Sequence, residues 1–220
     1  VLLACLAASF AAPLAAQNRR GPHPEVIYGS DARFDLYQVK HPKVLALADS
    51  TVALFRSGDI TADPADSGSL NLGVENYGEG MRLCKDEPFY AQPMGAFCSG
   101  SLIAPDVLMT AGHCVRSESA CQGTKFVFGF SVVKEGVYPS KVPAGEVYGC
   151  KKLLGREEVG NGADWALVRL DRAVTNHKPL ALNTSGDPKK GAPLFVIGHP
   201  AGLPTKVAGG AAVRDPSPNG

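Results

Sequence analysis

His113 and Asp164 are the residues of this chain best suited, by type and surroundings, to move a proton. His113 stands in the run Thr110-Ala111-Gly112-His113-Cys114, where small neighbours leave room for an imidazole ring. Asp164 opens the apolar run Asp164-Trp165-Ala166-Leu167-Val168-Arg169-Leu170, where its short side chain is expected to point inward while Leu167 and Leu170 pack. An imidazole can take a hydroxyl proton near neutral pH, and a carboxylate beside it fixes which ring nitrogen carries the hydrogen. A carboxylate next to a strand core is costly without a partner, and an imidazolium is a natural one. The chemistry this suits is acyl transfer, with a serine as nucleophile and backbone N–H groups holding the oxyanion. His23, His41 and His177 lack such a setting and read as surface or satisfied core residues.

A base of this kind needs a rigid frame. Cys98-Ser99-Gly100-Ser101-Leu102-Ile103 and Val107-Leu108-Met109-Thr110 read as two strands turned by Ala104-Pro105-Asp106, delivering His113 into a tight turn. Cys98 and Cys114 flank that hairpin and are expected to form a disulfide, which stabilises by about 3 kcal/mol in the chain-entropy model. Cys121 and Cys150 bracket the next strand region and form the second expected pair. Cys84 is left for a partner in a C-terminal part expected beyond Gly220. Further strands are expected around Ser50–Arg56, Gly68–Gly73, Lys125–Phe130, Glu146–Cys150, Trp165–Leu170, Pro193–Gly198 and 206–213. Short strands with turn chemistry, 25 Gly and 17 Pro, and almost no helical periodicity predict an all-β barrel or sandwich.

The apolar, Ala-rich residues 1–16 resemble the core of a secretory signal, clipped at its front and too short to span a membrane comfortably. Residues 17–43 are polar and aperiodic, as a pro-segment or N-terminal arm would be. Residues 44–175 are expected to hold a first barrel carrying His113 and Asp164, and 176–220 a connector and the start of a second. Export, to the outside or the periplasm, would permit disulfides. A net charge of +1 gives no basic field for nucleic acid, and no membrane contact is expected after signal removal.

Three rival readings are set aside on chemistry. Zinc at His113 and the neighbouring thiols lacks any Cys-x-x-Cys knuckle, so no metal or other cofactor is expected. Calcium at Asp59, Asp63 and Asp66 lacks the spacing and glycine of a binding loop. Asp66-Ser67-Gly68-Ser69 imitates a nucleophile motif, but Ala65 stands where a glycine should offer an oxyanion N–H, so Ser67 reads as a turn residue. Ser99 and Ser101, within the hairpin strand, read as structural.

The two motifs around His113 and Asp164, quoted above, resemble the trypsin-like serine peptidases. Val26-Ile27-Tyr28-Gly29-Ser30-Asp31-Ala32-Arg33 and Val196-Ile197-Gly198-His199-Pro200-Ala201-Gly202-Leu203-Pro204 resemble the bacterial glutamyl-endopeptidase-like branch. The resemblance implies a chymotrypsin-like double β-barrel, here with the second barrel incomplete, and a site in the cleft between the barrels. It implies a secreted endopeptidase, monomeric, acting on polypeptides. The order His, Asp, Ser implies a nucleophile in a Gly-Asn/Asp-Ser-Gly motif beyond Gly220, the chain being truncated before it. It also implies a mature N-terminus near Val26, released by a cut after Glu25 or after Arg19-Arg20. The alternatives are a peptidase-fold binding module that lost its nucleophile, or a secreted structural β-domain with an incidental His and Asp.

Overall fold

The computed structural model describes residues 31–160 and 162–216. The expected signal segment, the two cut sites and His23 lie outside them. From Ala32 onward the chain forms one unit. Its elements in order are β1 (Arg33–Asp35), α1 (Pro42–Ala48), β2 (Thr51–Arg56), β3 (Ile60–Asp63), β4 (Asp66–Leu72), β5 (Glu75–Asn76), α2 (Tyr77–Gly80) and β6 (Pro93–Met94). There follow β7 (Cys98–Ala104), β8 (Val107–Thr110), α3 (Glu118–Gln122), β9 (Thr124–Val127), β10 (Lys141–Pro143), β11 (Val147–Glu158), β12 (Asp164–Leu170), β13 (Pro193–Gly198) and β14 (Lys206–Ala212).

The protein is mostly β, as its turn-rich sequence predicts. Six antiparallel strands close a barrel in the order β11-β12-β8-β7-β2-β9, with β9 pairing back to β11. Val52, Leu54, Leu102, Leu108, Phe126 and Val168 fill its interior. Five successive residues of β2 are buried because alternate side chains serve two cores. Val52 and Leu54 point into the barrel, while Ala53 and Phe55 pack with Leu72, Phe130 and Val142 of a second cluster. A strand covered on both faces loses the alternation that marks a half-solvated one. The β10-β4-β3 sheet supplies that second cover, and Ser67 sits exposed in its hairpin, where Asp66 accepts from Gly68 N–H and Ser69 Oγ.

Beyond the barrel, β1, β14 and β13 form an open three-stranded sheet. Strand β1 falls in the stretch expected to be an arm, and it pairs Phe34 with Val207 of β14. A buried lysine fastens this pairing. Lys206 Nζ donates to Asp35 at 2.6 Å, Gln92 at 2.7 Å and the Pro204 carbonyl at 3.0 Å. Burial lowers the Lys206 pKa, opposed by Asp35. The β13–β14 connection docks on the start of β7, where His199 N–H donates to Ser99 Oγ at 2.8 Å. His199 is itself buried, with Nδ1 on the Leu203 carbonyl.

The connector after β12 is held to the barrel at His177. Its ring stacks on Phe128 at 4.1 Å, with Nε2 2.7 Å from Glu146 and Nδ1 3.0 Å from Asp49. Both expected disulfides are present, Cys98–Cys114 and Cys121–Cys150, and Cys84 is an exposed thiol.

Candidate active site

Strand register places the site. β8 ends at Thr110, which pairs with Ala166 of β12. β12 begins two residues earlier, so Asp164 projects over the turn that follows β8. That turn closes with Cys114 N–H donating to the Ala111 carbonyl at 3.1 Å, and it carries His113. The Cys98–Cys114 bridge then ties the far side of the turn to the start of β7.

The Asp164 carboxylate engages His113 twice. Oδ1 accepts the His113 backbone N–H at 2.9 Å, and Oδ2 lies 2.6 Å from Nδ1. An ionised carboxylate can only accept, so Nδ1 carries the hydrogen and Nε2 keeps its lone pair. The His113 side-chain hydrogen bond, followed by the backbone one, holds the Asp164 pKa below the usual carboxylate range. Asp164 is therefore charged at neutral pH. Sequence reasoning expects it to point inward beside a strand core. Instead its side chain is 39% exposed and that of His113 52%. The partner that relieves the carboxylate lies on the rim of the barrel, so the carboxylate turns there.

Gly112 is needed for a reason other than the one its sequence suggests. A Cβ there would lie 2.1 Å from the Glu157 carbonyl oxygen and 2.9 Å from that of Trp165. The missing side chain lets the turn press onto β11 and β12, and does not merely clear space for the ring. Arg156 reinforces this seat: Nε donates to the Gly112 carbonyl at 3.3 Å, while its guanidinium also pairs with Glu158. Arg116 donates to the other Glu158 oxygen at 3.0 Å. Composition and motif carry no sign of Arg156 or Glu158; only the β11–β12 register brings them beneath the turn.

Cys98, His113 and Cys114 have potential ligand atoms within 4.8 Å of one another. The two sulfurs are bonded together, so neither is a thiolate able to bind zinc. Ser67 lies in the β3–β4 hairpin and is not a hydrogen-bond partner of His113. Among the described residues no hydroxyl hydrogen-bonds the His113 ring. No helix among them is long and apolar enough to cross a membrane.

A family model described as the trypsin-like peptidase domain matches residues 98–218, more than half of the chain. The chain belongs to the trypsin-like peptidase family. It is similar to proproteinase E of Bos taurus, 37% identical over 83 residues, or 36% of this chain and 32% of that protein. It is also similar to chymotrypsin-like elastase family member 3B of Homo sapiens, 39% identical over 80 residues, or 35% of this chain and 28% of that one. The matched stretch thus spans about a third of the length of these curated relatives.

Proposed function

We propose that this chain bears the general base of an exported serine endopeptidase, with His113 as base and Asp164 as the carboxylate that orients it. Nε2 of His113 takes the proton of a serine hydroxyl while the oxygen attacks a peptide carbonyl. The imidazolium then gives that proton to the departing amine, and a water molecule repeats the sequence on the acyl-enzyme. We place the serine beyond Gly220, in a Gly-Asn/Asp-Ser-Gly setting, because the resemblance orders the three residues His, Asp, Ser. The proposed membership of the glutamyl-endopeptidase-like branch rests on the resemblance of the runs Val26 to Arg33 and Val196 to Pro204. The two disulfides fit an oxidising compartment, which supports export.

The observation that carries this reading is the double hold of Asp164 on the backbone and ring of one histidine. It fixes the tautomer and leaves the second ring nitrogen free to exchange a proton. Full-length protein treated with a fluorophosphonate probe should be labelled at a single serine, and the His113→Ala variant should escape labelling. Folded full-length protein that resists the probe would instead be a peptidase-fold binding module.

A further inference from the structure

We infer that the cleft beside His113 is a subsite for an acidic side chain, Asp or Glu, lying on the leaving-group side of the scissile bond. Its orientation rests on the peptidase reading above; its charge preference does not.

The cleft has a volume of about 400 Å³ and is lined by His113, the Cys98–Cys114 bridge, Phe97, Thr124, Arg56 and Arg116. That volume is near the low end for ligand pockets and suits one or two side chains. Two arginines and no acidic residue line it. Arg56 is exposed at the end of β2, its guanidinium 5.5 Å from the centre of the Phe97 ring. Arg116 is 67% exposed and spends one amino group on Glu158.

No carboxylate lines the cleft, and among the described residues Arg56 has no acidic partner. Glu158 is shared between Arg116 and Arg156, so one negative charge faces two positive ones. The lining therefore carries two guanidinium charges and no carboxylate, over an apolar floor of phenyl ring and disulfide. A guanidinium presents forked N–H donors that match a carboxylate, while the floor accepts the methylene stem of Asp or Glu. A lysine side chain would meet like charge from both arginines.

The His113 ring gives the direction. Nδ1 is held by Asp164, and Nε2 lies 3.5 Å from the Cys114 sulfur, a residue that lines the cleft. The departing amine receives its proton from Nε2, so residues following the cut bond pass over this cleft.

The test uses full-length protein and fluorescein-labelled, C-terminally amidated peptides that differ only in a central Asp-Glu or Lys-Lys pair, so the acidic peptide's two carboxylates sit on side chains. Fluorescence anisotropy at low salt should show the acidic peptide binding about tenfold tighter, the order expected of two partly exposed charge-assisted contacts. Joint Arg56→Gln and Arg116→Gln substitution should remove the preference, and Arg56→Glu should turn it toward the lysine peptide, an inversion that misfolding cannot produce. Equal binding of the two peptides, or a preference that survives both glutamines, overturns the inference. Fluorophosphonate labelling of the same sample reads the peptidase assignment separately. A preference without labelling would retain the acidic subsite and remove the catalytic role.

Discussion

His113 and His177 each hold a carboxylate near Nδ1, Asp164 at 2.6 Å and Asp49 at 3.0 Å, yet their second nitrogens meet opposite surroundings. Nε2 of His113 has no carboxylate, whereas Nε2 of His177 lies 2.7 Å from Glu146. The Asp49 contact is an ion-pair approach and not an aligned hydrogen bond. A neutral imidazole offers one donor and one acceptor, so only the charged ring suits a site between two carboxylates. Burial alone would lower the His177 pKa, but the hydrogen bond to Glu146 and the negative charge of Asp49 outweigh it, and the net shift is upward. The base proposed at His113 must exchange protons, and one of its ring nitrogens is open. A clamp that pins a connector works best when both nitrogens are taken.

The sharpest way to break this contrast is Asp164→Asn, which removes the carboxylate that selects the His113 tautomer. On the proposed role, kcat for peptide hydrolysis should fall about ten-thousand-fold, the loss such a change causes in a serine triad. A fall of less than tenfold in peptide hydrolysis would mean that Asp164 does not serve the base.

Next in size is Gly112→Ala, which forces a methyl group against the Glu157 backbone carbonyl. Overpacking against main chain should destabilise by about 3 kcal/mol. Thermal unfolding measures it, and an unchanged midpoint would show that the seat of His113 tolerates a side chain.

The pH dependence of unfolding separates the clamp from a third histidine. His199 is buried without a carboxylate and has no hydrogen-bond partner at Nε2, and burial, assisted by Lys206, lowers its pKa to about 4. Its unfolded form binds a proton first, so stability should drop between about pH 6.5 and 4, by on the order of 3 kcal/mol. His177 has the opposite sign: its contribution is full below about pH 6.5 and fades as pH rises through its raised folded value. His199→Gln should flatten the acid limb of the stability curve, and His177→Gln the alkaline limb. Curves that superimpose on the parent would refute both assignments.

The smallest effect belongs to Ser67→Ala. It should leave hydrolysis unchanged and shift stability by less than about 0.5 kcal/mol, as expected for an exposed turn residue. A collapse of activity would make Ser67 the nucleophile after all.

Much of the barrel was legible because its chemistry is local. Small residues before His113, the flanking cysteines and the strand pattern of 102–110 all lie within one hairpin. The predicted strand at 146–150 proved to run on to Glu158, through register shifts at Cys150/Lys152 and Leu153/Gly155. Its continuation, Lys151 to Glu158, holds five charged residues and a single glycine, so no hydrophobic alternation marked it. The predicted strand ending at Phe130 stops at Val127, and Gly129 follows with φ at +75°. Helix α1 is seven residues long, too short to show a period. Lysine and aspartate are surface residues by default, so nothing local announced that Asp35 and Lys206 meet in the interior across 171 positions.

That meeting has a practical consequence for anyone dividing the protein. A fragment beginning after the barrel would carry Lys206 into an apolar interior stripped of its counter-charge, and would leave β14 with a bare edge where β1 had been. The earliest described strand is thus structurally a late one, and the two ends of the described chain must be expressed together or not at all.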